Sequence, residues 1–323
     1  MKAILRTGYG SPDVLEINEI EKPQLGDDLV LVRVHASSIN AQEWRLMRGR
    51  PYLARPMMGG LLRPKDTRLG VDLAGTVEAV GKDVTEFKPG DKVFGMRWGA
   101  FAEYVTGTEK AFVHKPANVS FEQAAAVPVA ALTALQGLRD KGGIRPGHKV
   151  LVNGAGGGVG TFAVQVAKYF GAEVTAVTRT GSMELARSLG ADHVIDYSKE
   201  DFTKSGIIYD LIFDLGGTHP MSAVLRVLQP SGTLVLAGSV AKGLLGPLAM
   251  PIKSTLMKPF VKKKMVFFIA ERKKEDLLTL KELLETGRIK SVIDRTYPFS
   301  QVAEAVGYVE QGQVRGKVVI TIP

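Results

Sequence analysis

KVLVNGAGGGVGTFAVQVAKYFG, residues Lys149–Gly171, is the stretch of this 323-residue chain that decides its fold. The apolar run Val150–Val152 predicts a strand, and glycine and alanine fill most of the following segment, Gly154–Gly160. Apolar residues then recur at helical spacing over 162–170, and a glycine ends the segment. A further apolar run, Glu173–Thr178, predicts a second strand. The sequence therefore predicts a strand–turn–helix–strand unit of a parallel sheet.

The glycine-rich turn predicts a binding site for a dinucleotide. Residues without side chains let the backbone approach a pyrophosphate, and the next helix offers free N–H groups and the positive end of its dipole. The spacing G-x-G-x-x-G fits either a set that begins with Gly154 and Gly156 or a set around Gly157 and Gly160. A turn that only reverses the chain is the alternative, but the flanking strand and helix favour nucleotide binding.

The composition predicts a soluble globular protein that is long enough for two domains. Hydrophobic residues make up 45% and charged residues 23% of the chain. No apolar run approaches the roughly 20 residues of a membrane-spanning helix, and Met1–Arg6 does not begin a secretory signal. The chain has no cysteine, which excludes disulfides and thiol chemistry. We therefore expect a cytoplasmic protein with no membrane partner.

The net charge is +9, but the basic residues are scattered along the chain. The densest cluster lies within Lys258–Lys264, which we interpret as a solvated loop or helix end, because no RNP-like motif or basic helix accompanies it. Binding of nucleic acid through this cluster is the alternative, and we expect no such partner. A positive field would also attract a polyanionic cofactor.

The order of the elements predicts an α/β protein with two kinds of domain. Short strands and turns over residues 1–117 predict a compact, barrel-like β domain. Strands and helices alternate over 118–270, which predicts a doubly wound parallel sheet. Residues 271–323 hold an amphipathic helix and a last strand, and we expect them to return to the first domain. The stretch Arg50–Arg68, here called the excursion, has no clear period and is interpreted as a cover for a pocket.

The end of the second strand of the unit favours NADPH over NADH. An NAD site usually has an acidic residue there, which binds the ribose hydroxyls. This strand instead ends with Thr178, Arg179 and Thr180, and a guanidinium with neighbouring hydroxyls suits a 2′-phosphate. A solvated loop position for Arg179 is the alternative.

Further segments carry a resemblance over nearly the whole chain. They are Ala36–Asn40, Gly70–Gly75, Phe87–Gly95, Gly99–Val105, Asn153–Gly160 and Gly316–Ile320. In these segments the chain resembles the medium-chain dehydrogenase/reductase superfamily, in particular its zinc-free quinone oxidoreductase (zeta-crystallin-like) branch. The resemblance implies a GroES-like β-rich catalytic domain formed by 1–117 and 271–323, with a Rossmann NADPH-binding domain, 118–270, inserted in it. It also implies an active site in the cleft and a homodimer through the edges of the Rossmann sheets.

The resemblance also implies that zinc is absent. Zinc alcohol dehydrogenases of the superfamily carry a cysteine at the position of Asn40 and a Gly-His-Glu at Gly70-Val71-Asp72. The five histidines of this chain show no spacing typical of ligands, and we interpret them as structural. Alcohol oxidation assisted by a metal is therefore not expected.

Four side chains are expected at the reacting centre by resemblance: Asn40, Trp44, Tyr52 and Thr133. Asn40 would hold the cofactor or the oxygen of the substrate, and Thr133 matches a threonine near the nicotinamide. Tyr52 has a phenol that could donate a proton or a hydrogen bond. Trp44 either lines the pocket or only packs.

A larger set is expected around the cofactor, and Asn40 and Thr133 also belong to it. The pyrophosphate is assigned to Gly157, Gly158, Val159 and Gly160, and the adenosine phosphate to Thr178, Arg179, Thr180 and Tyr197. The ribose and nicotinamide are assigned to Gly216, Ala237, Gly238, Ser239, Phe267, Phe268 and Ile269. Arg315 and Lys317 are tail residues expected to reach a phosphate.

The expected reaction is hydride transfer from NADPH to a quinone or an α,β-unsaturated carbonyl compound. The alternatives are a zinc-less carbonyl reductase or alcohol dehydrogenase relative, and a redox-sensing or structural NADPH-binding protein of low turnover. Two departures from the family pattern leave detail open. The common Asn-x-x-Asp reads Asn40-Ala-Gln-Glu43, and a lysine often found after the second strand is Met183. The excursion has no counterpart in the shortest members, so the substrate cannot be transferred from them.

Overall fold

A computed structural model describes residues 1–50, 52, 55, 60–237 and 263–323. The chain divides into two compact units, one formed by Met1–Ala130 with Arg272–Pro323 and one formed by Ala131–Glu271. The predicted return of the tail at residue 271 lies one residue from this division. The other predicted boundary, at 117, lies 13 residues before Ala130, because the helices after residue 120 begin on the first unit.

The strands of the described residues alternate hydrophobic and polar positions only in part, because many are buried on both faces. In chain order they are Lys2–Arg6 (β1), Leu15–Glu19 (β2), Leu29–Ile39 (β3), Asp72–Val80 (β4), Lys92–Met96 (β5), Tyr104–Thr108 (β6), Phe112–His114 (β7), Lys149–Asn153 (β8), Glu173–Thr178 (β9), His193–Asp196 (β10), Tyr209–Asp214 (β11), Leu228–Leu236 (β12), Lys264–Phe267 (β13), Ile293–Pro298 (β14) and Lys317–Thr321 (β15).

The helices of the same residues are short and mostly amphipathic. They are Ala41–Arg48 (α1), Phe121–Ala125 (α2), Pro128–Gln136 (α3), Gly158–Tyr169 (α4), Met183–Ser188 (α5), Met221–Arg226 (α6), Lys274–Glu285 (α7) and Val302–Glu310 (α8). The apolar stretch between Ser120 and Leu138 is not one continuous helix, because Pro128 has no N–H for a continuing helix and instead begins a new one.

The first unit is a seven-stranded sheet with the β1–β2 hairpin beside it. The strand order is β14-β15-β3-β4-β5-β7, and β6 also pairs with β3. Only β14 and β15 run parallel to each other. The tail strand β15 pairs directly with β3, so the C-terminal segment returns to this unit as the sequence predicts.

A buried arginine holds the chain just before the excursion close to the chain near the end of the excursion. Arg6 on β1 is 1% exposed. Its guanidinium donates to the carbonyl of Leu46 on α1 and, through two nitrogens, to the carbonyl of Asp66. The Asp66 carboxylate in turn accepts from Trp98 Nε1 at 2.7 Å. Because a buried guanidinium must satisfy its donors, these contacts hold the chain at residues 46 and 66 together.

The second unit is a six-stranded sheet in the order β10-β9-β8-β11-β12-β13, and every pair is parallel. The order reverses between β8 and β11, which is the place where doubly wound sheets bind ligands, beyond the carboxyl ends of the strands. The fold class and the strand–turn–helix–strand unit around Lys149–Gly171 are confirmed.

Candidate active-site residues

The six-stranded sheet brings most of the predicted cofactor residues to one edge. Because parallel strands share a direction, their carboxyl ends lie together, and we call this place the glycine edge. Each strand of the sheet is followed there by predicted residues. They are Gly157–Gly160 after β8, Thr178–Thr180 at the end of β9, Tyr197 after β10, Gly216 after β11, Ala237 after β12, and Phe267–Ile269 at the end of β13.

The glycine turn contains two positions where packing requires glycine and one position that leaves space for a ligand. A Cβ atom on Gly160 would lie 2.1 Å from the Gly154 carbonyl oxygen, and one on Gly156 would lie 2.5 Å from Thr178 Oγ1. Both positions therefore require glycine for packing. Gly157 is the N-cap of α4, and the nearest atom to its Cβ position is the Gly154 oxygen at 3.6 Å. This open position beside a helix N-terminus fits a pyrophosphate.

Two buried polar residues that sequence reasoning missed shape the strand ends next to this turn. Asp214, the last residue of β11, accepts from Asn153 Nδ2 at 2.8 Å and from the backbone N–H groups of Gly216 and Gly217. Asn153 ends β8, so the bond joins the two strands between which the order reverses. The only local signal is an Asn and an Asp that each end an apolar run, which is too common to interpret.

The ends of β9 and β10 place an acid close to the predicted 2′-phosphate residues. Asp196 is 3% exposed and accepts from Thr180 Oγ1 at 2.5 Å and from Ser198 Oγ at 2.7 Å. Hydrogen bonds from these two hydroxyls lower the pKa of Asp196. The hydroxyl hydrogen of Thr180 is therefore used within the protein, whereas Tyr197 is more than half exposed beside it. The role of Thr180 at a phosphate stays a prediction.

The remaining predicted residues of this unit differ in their surroundings. Phe268 is buried, Phe267 is partly exposed and Ile269 is 80% exposed. Thr133 is 8% exposed on α3. Gly238 and Ser239 lie outside the described residues.

In the first unit, strand pairing brings together residues far apart in the sequence. Val318 of β15 lies opposite Ile39 of β3, and Ser38 of β3 lies opposite Asp72 of β4. Lys317 and Asp72 each begin their strand and Asn40 follows β3, so all three lie at the same end of the sheet. We call Ser38, Asn40, Glu43, Asp72 and Lys317 the Asn40 cluster.

The Asn40 cluster is a closed network of hydrogen bonds. The Lys317 ammonium donates to Asn40 Oδ1 at 2.5 Å, to the Ile39 carbonyl at 3.2 Å and to Asp72 Oδ2 at 3.4 Å. Asp72 Oδ2 also accepts from Ser38 Oγ at 2.8 Å and from Asn40 Nδ2 at 2.9 Å. Glu43 accepts from the Asn40 backbone N–H at 2.7 Å, which caps the start of α1.

Burial changes the acid–base properties of this cluster. Glu43 and Asp72 are 0% exposed and Lys317 is 3% exposed. Loss of hydration raises the pKa of Glu43 to about 7, and the Asp72 carboxylate adds to the rise. Loss of hydration lowers the pKa of Lys317, although Asp72 and Glu43 oppose this. Glu43 thus changes charge near neutral pH, next to an ion pair.

Three other predicted residues of the first unit lie outside the cluster. Trp44 on α1 is half-buried and packs on the hydrophobic core. Tyr52 is 45% exposed, and the guanidiniums of Arg50 and Arg55 lie 5.6 and 4.7 Å from its ring centre. Arg315 precedes β15, and its backbone N–H donates to Asp294. The Lys317 ammonium donates three hydrogen bonds, to Ile39, Asn40 and Asp72. Its predicted contact with a phosphate would require one of these three bonds to break.

The described residues contain neither a group of metal ligands nor a membrane-spanning helix. Across 1–50, 52, 55, 60–237 and 263–323, no three His, Cys, Asp or Glu side chains form a group able to hold a metal ion. No helix within these ranges has both the length and the apolar character needed to cross a bilayer. The absence of zinc stays a prediction.

Comparison with known proteins matches both units. Residues 26–117 match the family described as alcohol dehydrogenase GroES-like domain, and 189–320 match the one described as zinc-binding dehydrogenase. The chain is 36% identical to 2-methylene-furan-3-one reductase of Solanum lycopersicum, over 99% of this chain and 79% of that protein. It is 33% identical to the NADPH-dependent alkenal/one oxidoreductase of Arabidopsis thaliana, with the same coverage of both chains.

Among solved structures, the quinone oxidoreductase from Coxiella burnetii superposes with a TM-score of 0.89 at 29% identity. The superposition covers 100% of this chain and 99% of the other. A GroES-like unit and a Rossmann unit define an alcohol dehydrogenase-like protein. The chain belongs to the zinc-free quinone oxidoreductase branch of the medium-chain dehydrogenase/reductase superfamily, as the sequence resemblance implies.

Proposed function

We propose that the protein transfers hydride from NADPH to a quinone or an α,β-unsaturated carbonyl compound without the help of zinc. The observation that carries the proposal is the glycine edge, where the open position at Gly157 and the N-terminus of α4 fit a dinucleotide. The two plant relatives are named as reductases of conjugated carbonyl compounds, and the Coxiella protein is named as a quinone oxidoreductase; these names support the proposed class of acceptor.

The residues proposed to hold the cofactor are those of the glycine edge. Backbone N–H groups of Gly157–Gly160 would face the pyrophosphate, and Arg179 with Tyr197 would face the adenosine end. Reduced nicotinamide supplies the hydride when it is bound. NADPH is proposed over NADH because β9 ends in Thr178 and Arg179 rather than in an acid, and because the acid nearby, Asp196, already accepts from two hydroxyls.

The protein's own part is to orient the acceptor and to stabilise negative charge on its oxygen. Asn40 is proposed as the hydrogen-bond donor to this oxygen, since an amide N–H fixed by neighbours costs no rearrangement when charge develops. Tyr52 is proposed as a second donor or proton source, and its exposure leaves its hydroxyl accessible. Trp44 is proposed to line the pocket for the acceptor, and Thr133 is proposed to lie near the nicotinamide.

The absence of zinc is proposed from the chemistry of the side chains. The chain has no cysteine, and the positions of the zinc ligands in related alcohol dehydrogenases are Asn40 and Val71. In the structure, Asn40 is hydrogen bonded to an ammonium and a carboxylate. An amide occupied in this way is a poor ligand for Zn²⁺.

A cofactor and acceptor panel tests this function. Purified protein is incubated with NADPH or NADH and with quinones, enones, alkenals or saturated aldehydes, and oxidation is followed at 340 nm. We expect turnover with NADPH and the conjugated acceptors. Turnover of saturated aldehydes alone would favour a zinc-less carbonyl reductase, and tight binding of NADPH without turnover would favour a sensing or structural role.

We also propose a cytoplasmic homodimer that pairs through the edges of its parallel sheets and binds small molecules rather than nucleic acid or membranes. The edge strand β13 supports the pairing, since it has a free side in the described sheet. Light scattering of the purified protein tests the dimer, and a monomer at micromolar concentration would refute it.

A further inference from the structure

The Asn40 cluster has one outlet. Of its five side chains, Ser38, Glu43, Asp72 and Lys317 are at most 3% exposed, and only Asn40 is half-buried. A hydrogen bond from this cluster to a bound molecule can therefore come only from the Asn40 side chain. The buried residues cannot contact a ligand in the arrangement that the structure shows.

The two charged neighbours determine which way the Asn40 amide faces. An ammonium can only donate a hydrogen bond, and an ionised carboxylate can only accept one. Asn40 Oδ1 lies 2.5 Å from Lys317 Nζ, and Nδ2 lies 2.9 Å from Asp72 Oδ2. A flipped amide would place N–H groups against the ammonium and its oxygen against the carboxylate. Both contacts would then be repulsive, in a buried site where screening is weak.

This orientation leaves a donor available. Nδ2 carries two hydrogens: Asp72 accepts one of them, and no acceptor among the described residues takes the second. Donation from Lys317 to Oδ1 draws electron density from the amide, which strengthens Nδ2 as a donor. Without the two charges, either end of the amide would be presented with similar probability.

We propose that Lys317 and Asp72 are positioning residues that fix the Asn40 amide as a hydrogen-bond donor for the oxygen of the acceptor. The inference rests on the proposed function, and it replaces a phosphate contact for Lys317 with a role inside the protein. It also makes the ion pair a specificity device, since it favours acceptors that gain negative charge on oxygen and disfavours groups that must donate to Asn40.

The kinetic test removes both charges together, so that neither is left buried alone. In the double variant Lys317→Met with Asp72→Asn, we expect kcat for a conjugated acceptor to fall about 10-fold, since a misplaced donor loses part of the ~10²-fold or larger effect of one such group. In an Asn40→Ala background, the same double change is expected to have less than about a 2-fold further effect, because it acts through Asn40.

A matched control removes another ion pair of the same unit. Arg48→Met with Glu310→Gln breaks the pair between α1 and α8, whose atoms lie 2.7 Å apart, and is expected to leave kcat unchanged. A loss of equal size with and without Asn40 would overturn the proposal. So would an unchanged kcat with a 10-fold or greater rise in the Kd for NADPH, which would return Lys317 to a phosphate role.

A second readout needs no turnover. The chain has four asparagines, Asn18, Asn40, Asn118 and Asn153, so selective ¹⁵N-asparagine labelling gives a simple spectrum of side-chain amides. The Asn40 pair is identified by its loss on Asn40→Ala, both in the native protein and in the double variant, where Asp72→Asn adds a fifth asparagine. In the native protein we expect the chemical shifts of the two Asn40 amide protons to differ widely. In the double variant we expect this difference to become smaller. An unchanged pair would refute the positioning role.

The kinetic assay and the amide spectrum distinguish a failure of the proposed function from a failure of the positioning role. If the native protein turns over no acceptor, the proposed function fails, and the amide spectrum alone decides whether Lys317 and Asp72 orient Asn40. If the double variant does not fold, Asp72→Asn alone is used, which keeps the side-chain volume and removes the charge, although its amide nitrogen no longer accepts the bonds that one carboxylate oxygen received. Its loss of kcat must then vanish in the Asn40→Ala background, and a loss that persists there overturns the proposal.

Discussion

The glycine edge and the Asn40 cluster, the two proposed ligand sites, are built by opposite means. The glycine edge offers backbone groups from a turn of seven consecutive residues, 154–160, and its essential feature is the lack of side chains. The Asn40 cluster offers one side chain, held by opposite charges on two strands, Asp72 on β4 and Lys317 on β15. The comparison teaches that a site built from backbone depends on steric space, whereas a site built from buried charge depends on neutralisation.

The largest effect is expected where the glycine edge is tightest. Gly160→Ala places a Cβ 2.1 Å from a backbone oxygen, and we expect a loss of more than about 3 kcal/mol in the free energy of unfolding. Gly157→Ala is the matched control at an open position. It should keep native stability and weaken NADPH binding about 10-fold, measured by fluorescence titration. Equal stability of the two variants would contradict the steric description.

The next effect tests neutralisation in the Asn40 cluster. Lys317→Met alone leaves the Asp72 carboxylate buried without its cation, and we expect a loss of about 3–5 kcal/mol in urea unfolding. Adding Asp72→Asn should restore most of it, because the Asp72 charge is then removed together with its cation. A single variant as stable as the double variant would show that water or a relaxed backbone hydrates Asp72.

Glu43 predicts a dependence of stability on pH. Its pKa is about 7 in the folded protein and about 4.5 in the unfolded chain, so the folded state binds the proton more tightly. Its contribution is therefore fully present below pH 4.5 and is lost as the pH rises to 7, by about 3 kcal/mol. Glu43→Gln should lose less stability than the native protein between pH 5 and pH 8. Parallel pH profiles of the two proteins would contradict this.

The smallest effect is expected at the ion pair between Arg48 and Glu310, whose side chains are 30% and 24% exposed. Solvent screens this pair, so we expect Glu310→Gln to cost about 1 kcal/mol or less and the cost to shrink in 0.5 M salt. A cost similar to that of Lys317→Met would remove the distinction between buried and exposed charge.

The same contrast explains how much the sequence could predict. The glycine turn, its flanking strand and helix, and the strand ends of the parallel sheet follow from local patterns, since each lies within a few residues of an apolar run. The Asn40 cluster does not, because residues 38, 72 and 317 meet only through strand register. The resemblance pointed to Asn40 and Lys317, but no local pattern indicates that they are hydrogen bonded to each other.

Errors in the predicted elements have similar causes. The sequence predicts one helix within 271–323, whereas a second helix, Val302–Glu310, also forms and packs its apolar residues on the first unit. The Thr180 hydroxyl donates to Asp196, an acid that ends a different strand, and its role at a phosphate stays a prediction. Partners on other strands decide such details.

The hydrogen bonds of Arg6 to residues 46 and 66 affect which changes in the segment between them the fold can tolerate. One guanidinium fixes the chain at residues 46 and 66, so the segment between them begins and ends at the same place whatever its length or composition. Closing a longer loop between fixed ends costs little, about 0.6 kcal/mol for each doubling. Insertions or deletions between these two points can therefore be accommodated without rebuilding the sheet of the first unit.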